Sequence, residues 1–204
     1  MYLFITLSLI QVKIKESMKN LILFGPPGSG KGTQSAKVAE KYNLAHISTG
    51  DIFRREISNQ TPLGIKVKDI ISKGELVPDE LLIDLLRNAI KQNSDTQGYI
   101  FDGFPRTLQQ AKDLDKLMSE FRMEISKVLV LDVIEEEVVK RLLKRAELEG
   151  RSDDTEDVIR NRMQVYRNQT EPLIEYYSEK GLVGTIEGVG SINGVFDALC
   201  KEIE

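Results

Sequence analysis

The sequence predicts an α/β fold built on a parallel sheet with helices over both faces. Short apolar runs of strand length alternate with longer stretches of helical period, the alternation that parallel strands with helical crossovers require. The first apolar run leads directly into a glycine-rich loop and then a helix. No internal repeat or low-complexity tract breaks the pattern over the 204 residues, a length that suits one main domain with a substantial core.

Residues 20–24 open the sheet: Leu21-Ile22-Leu23-Phe24 is apolar without alternation, as in a strand buried on both faces. A helix over 34–41 and a short strand over 44–47 follow. Asp51 opens the next helix, over 51–58, after Ser48-Thr49-Gly50, with capping as its default role. Helices over 63–72 and 79–92 precede the third strand, at 99–101. Roughly fifty residues separate the second and third strands, against the dozen or so of a crossover, so a helical insert is expected there. A helix over 107–120, a strand over 128–133, a helix over 135–147, a single helix over 155–177, a strand over 182–186 and a helix over 192–203 complete the chain. The polar, glycine-containing stretch 147–154 predicts a mobile loop.

The loop Gly25-Pro-Pro-Gly28-Ser29-Gly30-Lys31-Gly32-Thr33 sits between strand and helix, the context that makes a glycine cluster a phosphate cradle. Backbone N–H groups converge in such a turn, and the positive end of the helix dipole points at them. Lys31 then reaches the outer phosphates. The residue after the lysine is Gly32, and the hydroxyl comes one place later at Thr33. A hydroxyl directly after the lysine holds Mg²⁺ in many ATPases and GTPases, so a motor or switch GTPase is disfavoured.

In such a sheet, ligands bind at the carboxyl ends of the strands. Asp102 ends the run Gly98-Tyr-Ile-Phe101, which places a carboxylate beside the phosphate loop. It suits Mg²⁺ held through water, since that ion keeps much of its hydration; a helix-capping or turn aspartate is the alternative. Asp51 has contact with magnesium-bound water as its second reading.

The net charge of −4 offers no global basic field, which argues against nucleic acid as partner and requires a local cluster of Arg and Lys for any anionic substrate. The single cysteine, Cys200, excludes an internal disulfide and a cysteine-rich zinc knuckle. The single histidine, His46, is read as a structural residue of its strand. The apolar run 2–10 is too short to span a bilayer and lacks a basic leader or a small-residue cleavage site. Residues 1–17 are expected to be an upstream start included before Met18 or a disordered tail, with an anchor or export signal as the alternative.

Helical phase sorts the arginines. Over residues 155–169 the apolar stripe is Val158, Ile159, Met163, Val165 and Tyr166, and Arg162 falls in its middle. A guanidinium there is costly unless paired or aimed into a cleft, so Arg162 is a candidate phosphate ligand. Arg160 and Arg167 point to solvent. Over 138–146 the stripe is Val138, Val139, Leu142, Leu143 and Ala146, with Lys144 facing water. Arg141 and Arg145 share one flank, a turn apart, as two guanidiniums around a shared anion would; balance by Glu137 or Glu149 is the alternative.

At this point a family resemblance becomes visible. Gly25 to Gln34, Ser48-Thr-Gly-Asp51, Gly74-Glu-Leu-Val77, Asp102-Gly-Phe-Pro-Arg106 and Gly150-Arg-Ser-Asp-Asp154 followed by Arg162 resemble the adenylate kinases, in order and with family-like spacing from Met18 onward. Lys-Gly-Thr is that family's own form of the loop. The resemblance implies a P-loop NTPase fold with a five-stranded parallel sheet flanked by helices, a helical NMP-binding insert near 48–77 and a short lid near 145–154, all within one kinase domain over 18–204. It implies the reaction ATP + AMP ⇌ 2 ADP with Mg²⁺, and so a role in adenine nucleotide homeostasis.

Carried onto matching positions, Gly28, Ser29, Gly30, Lys31, Gly32 and Thr33 would wrap the ATP phosphates, Asp102 and Thr33 would serve the magnesium, and Gly190 would lie near the ATP base. Thr49, Arg54, Arg106 and Gln110 would bind AMP, with help from Glu75, Leu76, Val77, Gly103, Phe104 and Pro105. Arg141 and Arg145 would lie on the ATP side, with Arg151 and Arg162 reaching the phosphates from the lid and the helix after it. Longer members carry an extended lid, often with a four-cysteine zinc site, where this chain has only Ala146 to Gly150; the short-lid form without zinc is expected. UMP/CMP kinases usually resemble Ser-Ala-Gly-Asp at 48–51 and carry Asn in place of Gln110, so Thr49 and Gln110 favour AMP. A silent nucleotide-sensing module is the alternative of another class. Partners are expected to be ATP, AMP and ADP, with neither nucleic acid nor membrane, for a cytoplasmic monomer.

Overall fold

The computed structural model describes residues 18–151 and 154–204. The expectations for residues 1–17, and for residues 152 and 153 of the loop, fall outside the described residues. Five strands form one sheet: β1 (Lys19–Phe24), β2 (Ala45–Ser48), β3 (Gly98–Asp102), β4 (Lys127–Asp132) and β5 (Val183–Glu187). Their order is β2-β3-β1-β4-β5 and every pairing is parallel, as expected. β1 is the central strand, which is why Leu21–Phe24 is apolar without a break. Successive side chains of a strand point to opposite faces. Leu21 and Leu23 pack with Val38 and Ala39 of α1 (Lys31–Tyr42) and Val195 and Leu199 of α9 (Ile192–Ile203). Ile22 and Phe24 face the larger core, which holds Leu86, Leu114 and Tyr177.

The interval between β2 and β3 is filled by α2 (Thr49–Ser58), α3 (Pro62–Ser72) and α4 (Asp79–Gln92). α2 starts earlier than its carboxylate suggests. Ser48 is the cap, its hydroxyl accepting from the Asp51 N–H at 3.3 Å. Asp51 therefore sits inside the first turn, where its carboxylate pairs with Arg54. Thr61 caps α3 by accepting from the Gly64 N–H at 3.0 Å. α3 then crosses α2 so closely that a Cβ at Gly64 would lie 2.1 Å from the Glu56 carbonyl oxygen.

α5 (Leu108–Glu120) connects β3 to β4, capped by Thr107. α6 (Glu135–Glu149) runs two residues past its expected end and stops at Gly150, whose φ of +62° is the left-handed conformation that closes a helix. Leu143, expected on the inner stripe, is exposed, whereas Val138 and Leu142 are fully buried against Ile159 and Met163.

The single helix expected over 155–177 is broken. It divides into α7 (Glu156–Val165), one wide turn at Tyr166–Thr170, and α8 (Leu173–Ser178). Pro172 is the cause: it has no N–H to donate, and its ring would strike the carbonyl four residues back. The wide turn, closed by the Glu171 N–H donating to the Tyr166 carbonyl at 2.9 Å, shifts the ladder just before it.

Candidate active site

The carboxyl edge of the sheet carries two adjoining clefts. The phosphate loop lies at the end of β1 and turns through Gly25, Gly28 and Gly30, all at positive φ. At Gly28 a Cβ would also meet Leu142 at 2.7 Å. Gly30 is the cap of α1 and has no side chain to occupy the first N–H groups, which stay directed at the loop's concavity.

Lys31 bends back over this loop, donating to the carbonyls of Gly25 at 2.7 Å and Pro26 at 2.8 Å. Burial of the ammonium pushes its pKa down to about 7; Asp102 works against that shift, while Arg106, Arg162 and Arg145 reinforce it. The side chain keeps some exposure to the cleft. An anion arriving there would favour the charged form. Ser29 is buried, and Thr33 is exposed at the cleft.

Asp102 is the last residue of β3, in register with Leu23 of β1 and Ser48 of β2. Its carboxylate is nearly buried, and a Cβ on Gly32 would stand 3.6 Å from Oδ2. His46 was expected to be structural, yet its ring borders the larger cleft, with Nε2 3.6 Å from Asp102 Oδ2 and no hydrogen-bond partner among the described residues.

The smaller cleft is walled by Thr49, Arg54, Glu75, Leu76, Val77, Gly103, Arg106, Gln110 and Arg162, all residues expected to serve AMP or the phosphates. Phe104 and Pro105, joined by a cis peptide bond, are buried behind it and do not line it. Thr49 Oγ1 donates to the Gly103 carbonyl at 3.0 Å, and Arg106 Nε donates to the same oxygen at 2.7 Å. Thr170, on the wide turn, donates to the Arg106 carbonyl at 3.0 Å. Burial and the neighbouring Arg162 bring the Arg106 guanidinium down to about 10, so it is still cationic at neutral pH.

The larger cleft holds eight cationic side chains (Lys31, Arg54, Arg106, Arg141, Lys144, Arg145, Arg151 and Arg162) against the carboxylates Asp51, Asp102 and Glu149. In a chain of net charge −4, this is the local positive cluster that an anionic substrate needs. Arg141 donates to the Gly188 carbonyl at 3.2 Å and the Ser29 carbonyl at 3.4 Å, and pairs with Glu137 at 2.8 Å, tying α6 to the loop. Arg151 pairs with Glu149 at 2.7 Å and lines only this cleft. Gly190 has a φ of +130° in the loop between β5 and α9; Ile192, rather than Gly190, borders the cleft. Arg160 and Arg167 face solvent as expected.

Asp154 is the part that residue-by-residue reading missed. Its side chain is wholly buried and receives Arg145 Nε at 2.6 Å, Arg145 Nη2 at 2.7 Å and Arg162 Nη1 at 2.8 Å. One carboxylate thus orients two guanidiniums from different helices. The signal was an acidic pair between arginine-bearing segments. Arg162 also rests its stem on Gly74, where a Cβ would lie 2.7 Å from its Cγ, and Asn161 donates to the Lys73 carbonyl at 2.7 Å. α7 therefore touches the connection between α3 and α4.

A parallel sheet with a phosphate loop at its central strand, opening on two clefts that share a ring of arginines, defines a nucleotide phosphotransferase. The family model for adenylate kinase matches residues 23–182. The chain is 48% identical over 187 residues to an adenylate kinase of Bacteroides fragilis, covering 92% of this chain and 99% of that protein. It is 47% identical over 186 residues to one of Leptospira biflexa, covering 91% of this chain and 100% of the other. For one of Micrococcus luteus the identity is 44% over 186 residues, 91% of each chain. The chain belongs to the adenylate kinase family, whose reaction is the reversible transfer of the terminal phosphoryl group of ATP to AMP, giving two ADP.

Proposed function

We propose that the smaller cleft takes AMP, the larger takes ATP, and the two phosphate tails meet over Lys31. One observation carries this reading: Arg54, Arg106 and Arg162 line both clefts, so the cations of one site are also those of the other. Two anionic tails would repel in water; here shared guanidiniums lie between them. The AMP phosphate is already an anionic nucleophile, so no general base is needed, and catalysis reduces to in-line positioning and charge neutralisation. Lys31, freed from the carbonyls of Gly25 and Pro26 by its greater attraction to phosphate, bridges to the transferred group. Arg106, Arg141, Arg145, Arg151 and Arg162 hold the surrounding oxygens, with Gly28 to Thr33 around the donor tail. Thr49, Gln110 and the backbone of Glu75 to Val77 and Gly103 receive the AMP nucleoside.

The described residues contain no group of three or more acidic, His or Cys side chains fit for a metal. The donor set suits a hydrated Mg²⁺ carried in on ATP, for which the buried carboxylate of Asp102 and the Thr33 hydroxyl are sufficient. Bound there, Mg²⁺ would supply charge neutralisation to the triphosphate. Residues 48–77 act as the acceptor insert and 145–154 as a short, zinc-free lid. The lid excludes competing water, and adenylate kinases are a standard case of such gating. Because both clefts belong to one chain, a monomer is sufficient, and the cytoplasm, where adenine nucleotides are exchanged, is the place of action. Among the described residues no helix is long and apolar enough to cross a membrane.

The test is an acceptor panel: with ATP and Mg²⁺, AMP should exceed CMP and UMP in kcat/KM by at least about tenfold, the scale of one hydrogen bond to a base edge. Comparable rates on all three would replace this reading with a broad nucleoside monophosphate kinase.

A further inference from the structure

Behind the smaller cleft, a carboxylate that belongs to neither wall is bonded to the residue placed to read the acceptor base. Gln110 is 1% exposed and borders that cleft. Its Oε1 accepts the backbone N–H of Arg106 at 2.8 Å, and its Nε2 donates to Asp79 Oδ1 at 2.6 Å. Asp79 stands in the first turn of α4, thirty-one positions away along the chain, and does not line the cleft.

A glutamine amide is nearly symmetric in shape and differs end to end only in which side donates; its partners decide its orientation. A backbone N–H can only donate, so it must face Oε1. An ionised carboxylate can only accept, so it must face Nε2. Arg106 and Asp79 therefore specify the same orientation from opposite ends. Turning the amide over would set donor against donor at Arg106 and acceptor against acceptor at Asp79. What remains unused on Gln110 is one oxygen lone pair and one N–H, in a fixed order.

We propose that Asp79 is a specificity-determining positioning residue: by locking the Gln110 amide, it makes the acceptor cleft prefer a base edge with an exocyclic amine beside a ring acceptor over one with a carbonyl beside a ring N–H. This rests on the reading that Gln110 faces the acceptor base. Adenine presents the amine-and-acceptor order, and hypoxanthine presents the reverse on the same bicyclic ring. AMP and IMP are therefore the matched pair of probes. Asparagine at position 79 can donate as well as accept, so it would also satisfy an inverted amide; alanine removes one of the two anchors outright.

The experiment measures kcat/KM for AMP and for IMP, with ATP and Mg²⁺, in the full chain and in the Asp79→Asn, Asp79→Ala and Gln110→Leu variants. The AMP:IMP ratio is taken within each preparation, so any unfolded fraction cancels. Both Asp79 variants should lower that ratio by roughly tenfold, the scale of one hydrogen bond to a charged group, while the KM for ATP stays within about twofold. Gln110→Leu should lower it at least as far. A ratio within about twofold of the parent in both Asp79 variants, with Gln110→Leu still losing discrimination, would overturn the role of Asp79 and leave the base-reading role of Gln110 intact. A ratio that survives Gln110→Leu would overturn both.

Discussion

Replacing Asp154 with asparagine keeps the side chain's shape and removes its charge. Three charge-assisted bonds converge on that carboxylate, at 2.6, 2.7 and 2.8 Å, from Arg145 and Arg162. An amide can satisfy only the bonds that reach its oxygen; its NH₂ group would confront guanidinium donors. Removing one partner of a buried ion pair typically costs about 3–5 kcal/mol. The lower end applies here, because both guanidiniums are partly exposed and both keep further interactions. A loss of ~3 kcal/mol in a chain of this length lowers Tm by roughly 6–12 °C. Turnover should fall further than stability explains, by about ten- to a hundredfold, because the two arginines proposed to hold phosphate lose their common anchor. Thermal denaturation, paired with a coupled assay of ADP formation at a temperature where the variant is fully folded, reads both effects. A Tm within about 2 °C of the parent together with kcat within about twofold would refute the view that Asp154 organises the two arginines.

Lys31 supplies a prediction in pH. With a pKa near 7 in the free protein, its ammonium is about 0.9 deprotonated at pH 8, and binding of a polyphosphate restores the charge. ATP binding should therefore take up close to one proton at pH 8 and almost none from this group below about pH 6; calorimetry in buffers of different ionisation enthalpy measures it. Lys31→Met should abolish the uptake at pH 8, and an unchanged value would contradict the assignment. Arg106→Ala should reduce kcat by roughly 10³-fold, on the scale of an arginine that neutralises transferring phosphate, with the fold retained by circular dichroism. Gly64→Ala places a methyl 2.1 Å from the Glu56 carbonyl oxygen, so α3 must move off α2 at a cost of about 1–3 kcal/mol, seen as a lower urea midpoint.

The sheet was legible because a strand buried on both faces needs an unbroken apolar run, and Leu21 to Phe24 is one. The phosphate loop was legible because its glycines answer a backbone requirement, positive φ beside a helix start, that few other residues meet. Arg162 was legible from phase alone, since a guanidinium on the buried stripe needs a reason. Phase failed where the chain left the regular helix. The backbone is right-handed helical on both sides of the wide turn at 166–170, so only Pro172 betrays the break. Leu143 and Leu148 look like core residues by type but are exposed, and Leu148 borders the larger cleft. The bonds of Asp154, which lies outside any helix, reach Arg145 of α6 and Arg162 of α7, nine and eight positions away, and the bond of Asp79 to Gln110 spans thirty-one. Periodicity sorts residues within one element and is silent about such meetings.

If two phosphate tails are held over Lys31 by the arginines common to both clefts, as proposed, the transfer must run in either direction. Purified protein given Mg²⁺ and ADP alone should generate ATP and AMP in equal amounts until equilibrium, followed by separation of the three nucleotides. Folded protein that leaves ADP unchanged, or releases inorganic phosphate in place of ATP, would contradict the account.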